Sequence, residues 1–253
     1  MEDISQRKII YLAELDGDVD DVVAAEYLYN KSVLKCVVSD PKPLSKKGKK
    51  REEDLKKLGI EIFYQMPEDA QIIFCGGALT QLAYFLEEHR ILALVMNGGF
   101  VGDNIVPKED RLEKFDGKKT IRTFNFDIDV ESTDKVLKSS TEKIEKIILV
   151  GKNVCHSKKN TPNEIWNSKE YNNLFSKYSV GRYKCLHDML MCHEGLCLLK
   201  LINEDPYCEF EEVYPYNEGL SGNMTKWGSK KDNENTPYRK VLSAIKYKKN
   251  SYL

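Results

Sequence analysis

Short apolar runs recur along the first 151 residues, at 8–15, 33–39, 60–65, 70–77, 92–99, 120–126 and 143–151, each of strand length. Between them, segments 20–31, 45–58, 79–90 and 130–139 read as helices. Strands alternating with helices predict βαβ units, hence an α/β fold with a mostly parallel open sheet and helices on both faces. In such sheets ligands bind beyond the carboxyl ends of the strands. Residues 40–51 are rich in Lys, Pro, Ser and Gly and look loop-like, overlapping the start of the second helical segment. Residues 103–119 are mixed in charge with little periodicity and predict a surface insertion. Beyond 151, the chain reads as a short polar helix within 160–178, a buried helix at 185–203, a strand or hairpin arm at 208–217 and a last helix at 238–247. No repeat or linker divides it, so 1–253 is expected to be one domain.

A chain of 253 residues with 41% hydrophobic content can bury one large core. Its 39 basic and 40 acidic side chains nearly cancel, which argues against a dedicated nucleic-acid binder. The N-terminus lacks an apolar h-region and no apolar run nears 18 residues, so neither a signal peptide nor a membrane span is expected. Seven cysteines without regular spacing point to reduced thiols and a cytoplasmic setting.

The chemistry concentrates in Glu14-Leu15-Asp16-Gly17-Asp18-Val19-Asp20-Asp21, between the first strand and the first helix. Five carboxylates in eight residues repel one another unless a cation sits among them. Oxygen ligands favour Ca²⁺ or Mg²⁺ over zinc, and a helix N-terminus favours anions. The alternative is a solvated acidic turn whose aspartates cap the helix. A zinc site from Cys185, His187, Cys192, His193 and Cys197 lacks the usual ligand spacing. Gly76-Gly77 lacks the Gly-Lys-Ser/Thr of a phosphate loop. Trp166 and Trp227 are expected to pack rather than stack on a ligand.

The acidic run resembles the Asp-x-Asp-Pro-Gly-x-Asp-Asp motif of the inosine-uridine-preferring nucleoside hydrolase family. Later segments match in the same order: Gly76-Gly77-Ala78-Leu79-Thr80-Gln81-Leu82-Ala83, then Val95-Met96-Asn97-Gly98-Gly99-Phe100 with Gly102-Asp103-Asn104, then Phe124-Asn125-Phe126-Asp127-Ile128-Asp129-Val130-Glu131, and finally Leu186-His187-Asp188. The resemblance spans residues 8–197. It implies a nucleoside-hydrolase-like, Rossmann-like core and a calcium-dependent N-ribohydrolase of nucleotide metabolism acting on a small-molecule nucleoside or nucleotide, and it is compatible with a homo-oligomer. Asp16, Asp21 and Asp188 would bind Ca²⁺ through side chains and Thr80 through its carbonyl. Asp16 would also take a proton from water. Asp20 and Asn104 would hold the ribose hydroxyls, Asn125 would reach the far side of the sugar, and His187 would stand near the leaving base as a proton donor. This suits the chemistry, because N-glycosidic cleavage develops positive charge on the sugar, which carboxylates stabilise.

The chain departs from the family pattern. Gly17-Asp18 replaces Pro-Gly, Ser39-Asp40 stands where an Asn is expected, Thr123 replaces a glutamate, and a lid-like turn is missing. Loss of that glutamate, with Lys118, Lys119 and Arg122 nearby, suggests a 5′-phosphorylated substrate. Two other readings compete. Asp16-Gly17-Asp18-Val19 also looks like the nucleophile motif of haloacid-dehalogenase-type, Mg²⁺-dependent phosphatases, with Asp16 attacking phosphorus and Asp18 as general acid. The third reading is a non-catalytic ribosyl-ligand binder on the same fold.

Overall fold

Strand β1 (Ile9–Ala13) is buried at every position, as in a strand covered on both faces. The structure is a computed structural model that describes residues 9–39, 43–221 and 224–248. Among them, ten strands form one sheet. They are β1, β2 (Leu34–Ser39), β3 (Ile62–Phe63), β4 (Ile72–Cys75), β5 (Ile91–Asn97), β6 (Thr120–Ile121), β7 (Ile144–Val150), β8 (Cys208–Ser221), β9 (Met224–Lys230) and β10 (Val241–Tyr247). The order is β3-β2-β1-β4-β5-β7-β10-β8-β9-β6. Pairing is parallel from β3 through β10 and antiparallel from β10 to β6. The predicted α/β class with a mostly parallel open sheet is therefore the observed one.

Alternate strand residues feed two separate cores. Ile9, Tyr11, Phe74 and Val95 face one side, under α1 (Asp20–Asn30) and α8 (His187–Leu198). Ile10, Leu12, Ile73 and Leu94 face the other, under α3 (Thr80–Glu88) and α5 (Val130–Leu137). The remaining helices are α2 (Lys46–Lys57), α4 (Phe124–Asp127), α6 (Lys152–Cys155) and α7 (Lys169–Lys177). Strand order reverses at β1, whose neighbours are β2 and β4. A crevice at the carboxyl ends of β1 and β4 is where a sheet of this kind places its ligand.

Some sequence expectations need correction. Residues 238–247 are not a helix: 241–247 form β10, which fills the gap between β7 and β8 and is buried at five of seven positions. The hydrogen-bonding edge of β7 overrides local preference there. The strand expected at 120–126 stops at Ile121, and the chain turns into the one-turn helix α4, which buries Phe126 edge-on against Trp227 at 5.0 Å. The loop-like 40–51 gives way to α2 at Lys46, where the Ser45 hydroxyl accepts from Gly48 N at 3.2 Å. Residues 103–119 do lack regular strands and helices beyond two single 3-10 turns, Lys108–Asp110 and Glu113–Phe115. Lys8 and Asp40, which entered the sequence reading, lie outside the described residues.

Candidate functional site

The acidic run begins where β1 ends. Asp20 and Asp21 open α1, and Asp188 is the second residue of α8, so two helix N-termini bring their positive ends to three carboxylates. One oxygen from each of the three lies within 4.8 Å of the others. The residues are only 2%, 3% and 3% exposed. Tyr11 Oη donates to Asp21 Oδ1 at 3.2 Å, and Glu14 N donates to the same oxygen at 2.9 Å. Asn97, at the end of β5, donates through Nδ2 to Asp188 Oδ1 at 2.7 Å. Asn125 Nδ2 bridges the carbonyls of Gly76 and Asn97, at 2.8 Å each. Gly76 follows β4 so closely that a Cβ there would lie 2.5 Å from Tyr11 Oη and 2.9 Å from Asp21 Oδ1. Only glycine lets this backbone run against the carboxylates.

Burial raises the pKa of all three acids. For Asp21 and Asp188 the neighbouring carboxylates push the same way, whereas at Asp20 the Lys184 ammonium opposes burial. Like charges this close do not ionise together without a compensating cation. A donor set made only of carboxylate and amide oxygens fits a hard divalent ion. Among the described residues this is the one group of three or more acidic, Cys or His side chains placed to share an ion.

The acids form part of the wall of a cavity of about 380 Å³. That is within the range of about 300–1,000 Å³ typical of small-molecule sites. The same wall carries Asp18, Lys152, His156 and His187. Lys184 Nζ pairs with Asp18 at 2.5 Å. The His156 and His187 rings lie 4.6 Å apart. Burial first, and nearby cations second, lower His156 to about 4. Burial, then His156 and Lys184, lower His187 to about 3. Both imidazoles are therefore neutral at neutral pH, and His187 Nε2 has no hydrogen-bond partner. A neutral His187 is a hydrogen-bonding group rather than the proton donor that the sequence suggested.

Of the residues singled out from sequence, Asp20, Asp21, Asp188, Asn125 and His187 all line this cavity. Three do not. Asp16 is exposed and turned toward α2, where its carboxylate accepts from Ser45 N at 3.0 Å and Ser45 Oγ at 2.5 Å. Gly48 makes room for it, since a Cβ there would sit 2.2 Å from Asp16 Oδ1. Those hydrogen bonds, the Ser45 hydroxyl first, hold its pKa low. The helix satisfies this carboxylate, so the proposed base and metal role of Asp16 has no support in the geometry. The Thr80 hydroxyl donates to Asp129 Oδ2 at 2.8 Å, and Gly76 rather than Thr80 lines the cavity. Asn104 Nδ2 is spent on Ser229 O at 2.7 Å, tying the 103–119 segment to β9.

Sequence reasoning gave no role to Glu14, Gly76, Asn97, His156 or Lys152, all of which line the cavity. Gly76 and Asn97 lay inside the matched motifs, so a signal existed; Lys152 and His156 carried none. Lys118 and Lys119 are exposed and outside the cavity wall, and Arg122 pairs with Asp127 at 2.6 Å. Trp166 and Trp227 are fully buried, as expected. His193 sits with Tyr27 and Cys197 inside the core, at 3.0 and 3.5 Å, away from Asp188 at the cavity.

No helix of the described residues is long and apolar enough to cross a membrane. No family model matches the chain. A protein of Aquifex aeolicus (strain VF5), described as an uncharacterized protein, is 27% identical over 164 residues, covering 61% of this chain and 53% of that one. The chain thus spans about half the length of the curated relative it matches, a protein whose description assigns no activity.

Proposed function

We propose that this protein is a divergent nucleoside-hydrolase-like enzyme that cleaves an N-ribosyl bond with the aid of a hard divalent ion, Ca²⁺ in the family its motifs resemble. The observation that carries this reading is the trio Asp20, Asp21 and Asp188, buried within 4.8 Å of one another in a cavity at the strand ends. These three would hold the ion. When bound, such an ion orients a water and a sugar diol and lowers the pKa of that water.

The chain's own groups supply the rest. Glu14 lines the cavity beside Asp21 and is placed to take the proton that Asp16 cannot reach. The carboxylate cluster stabilises positive charge developing on the sugar. Asn125 spends its amide protons on Gly76 and Asn97, which leaves Oδ1 to accept from a sugar hydroxyl. Phe124, 56% exposed at the cavity, offers an aromatic face to the departing base. Neutral His187 offers that base a hydrogen bond.

The phosphatase reading needs Asp16 as nucleophile, and that residue lies outside the cavity, so no observation favours it. The test is release of free base from a panel of nucleosides and 5′-nucleotides, followed by chromatography with added calcium or chelator. Chelator-sensitive base release is the expected result. Ion binding without base release would leave a ribosyl-ligand binder, and inorganic phosphate as the product would overturn the hydrolase.

A further inference from the structure

The cavity wall that holds the three acids also carries groups with the opposite deficiency. Lys152 lies in that wall, half-buried, and its ammonium has no carboxylate or hydrogen-bond partner among the described residues. Lys114 belongs to the 103–119 segment. Its side chain lies over the Phe115 ring at 5.0 Å, and Phe115 packs edge-on against Phe100 at 5.4 Å and His156 at 5.7 Å. The segment is thereby anchored against His156 of the cavity wall, and Lys114, which has no carboxylate partner among the described residues, comes close enough to help lower the His156 pKa. The other cations of this region are already matched, Lys184 by Asp18 and Arg122 by Asp127.

A further donor in the same lining is idle. Thr123 is 1% exposed, lines the cavity, and its Oγ1 has no partner. A buried hydroxyl without a hydrogen bond and a half-buried ammonium without a counter-ion each cost stability, so their convergence calls for an occupant. The occupant must accept several hydrogen bonds and carry negative charge. A phosphate monoester does both. Ordinary hydroxyls of a free nucleoside leave the ammonium unmatched.

We infer that the substrate is a ribosyl 5-phosphate, its diol toward Asp20, Asp21 and Asp188 and its phosphate toward Lys152, Thr123 and Lys114. This rests on the hydrolase reading above and names its substrate class. The ester itself is untouched. The C1′–N bond breaks and its electron pair leaves with the base, the water oxygen bonds to C1′, one water proton passes to Glu14, and the base nitrogen takes a proton from solvent, to which Glu14 releases the one it gained. The sum is nucleotide plus water giving free base plus ribose 5-phosphate.

Calorimetric titration of the full chain with ribose 5-phosphate and with ribose, both in calcium, tests it. A charge-assisted contact is worth about 1.5–3 kcal/mol. Ribose 5-phosphate is therefore expected to bind about tenfold to a hundredfold more tightly than ribose. Lys152→Met is expected to erase most of that difference. Lys114→Gln, on an exposed turn where folding is not at stake, reduces it by a few fold, and Lys118→Gln leaves it intact. Equal binding of the two ligands, or a preference that survives both Lys152→Met and Lys114→Gln, overturns the inference. Base release separates the two layers of the argument. Free nucleosides cleaved as efficiently as their 5′-monophosphates sink the phosphate site and keep the hydrolase. Lys152-dependent binding of ribose 5-phosphate without base release from any nucleotide does the reverse. Release of inorganic phosphate overturns both.

Discussion

Chelation is the perturbation that reaches deepest into this site. In the ion-free protein, burial and mutual repulsion hold the Asp21 and Asp188 carboxyls well above their ordinary range. The folded state then keeps protons that the unfolded chain releases from about pH 4 upward. With more protons bound in the folded state, stability falls as pH rises through that window. The slope is about 1.4 kcal/mol per pH unit for each full proton. A divalent ion replaces those protons and restores the lost stability. At a hundredfold excess over its Kd it contributes about 2.7 kcal/mol. In a chain of this size each kcal/mol moves Tm by about 2–4 °C, so the ion raises Tm by about 5–10 °C. Differential scanning fluorimetry with calcium or chelator, near neutral pH and again near pH 5, reads this directly. The rise is expected to be full near neutrality and to shrink at the lower pH, where protons compete. Asp188→Asn removes one charge while keeping an acceptor for Asn97. It should raise Tm in chelator and cancel the rise with calcium. A Tm unmoved by calcium, magnesium and manganese near neutral pH would refute the reasoning, and so would an Asp188→Asn variant that keeps the full shift.

Other expectations follow from single contacts. Asp16→Asn loosens the start of α2, lowering Tm by about 2–4 °C for a cap worth about 1 kcal/mol, yet it leaves the calcium shift in place; loss of that shift would return Asp16 to the ion site. Gly76→Ala drives a methyl into Tyr11 and Asp21, and differential scanning fluorimetry should show the calcium response abolished along with a cost of about 1–3 kcal/mol. Asn125→Ala leaves two carbonyls unmatched, and base release should fall by about tenfold or more, measured as kcat/KM on the best substrate. Glu194, buried and raised to about 8 chiefly by burial, accepts from Tyr207 N at 2.8 Å and Cys208 N at 3.2 Å. Its folded pKa exceeds the unfolded one, so it subtracts stability as pH climbs from about 4.3 toward 8; Glu194→Gln should flatten that part of a Tm-against-pH curve.

The core of the parallel half was legible because β1, β2, β4, β5 and β7 are short apolar runs closed by turn residues, which is what burial on both faces demands. β10 was not, because 238–247 carries both periodicities, and a long-range edge rather than the local sequence decided between them. At the site, residues fixed by their position at an element's start, Asp20, Asp21 and Asp188, could be read from motif order. Asp16 could not, since its direction depends on Ser45 and Gly48, some 30 residues further on. The lysines and His156 became visible only once the chain had folded segments 103–119 and 151–156 to the same mouth. A cation without a motif is indistinguishable from a solvated one until its partners, or their absence, are seen.

The position of β10 also constrains how the molecule is assembled during synthesis. It is made after every other strand described, yet it sits in the interior of the sheet, between β7 and β8. Until it emerges, β7 presents an open edge, and the β8-β9-β6 ribbon has no strand through which to join the parallel part. That ribbon holds Asn104 through Ser229, and Trp227 rests on Phe126, next to Asn125. The cavity wall formed by 103–126 is therefore completed last, when a late-emerging strand inserts, although Asp20 and Asp21 are among the earliest residues made. A nascent chain halted before residue 241 should carry its acidic residues exposed and attract quality-control proteases, whereas release of seven more residues closes the sheet in one step.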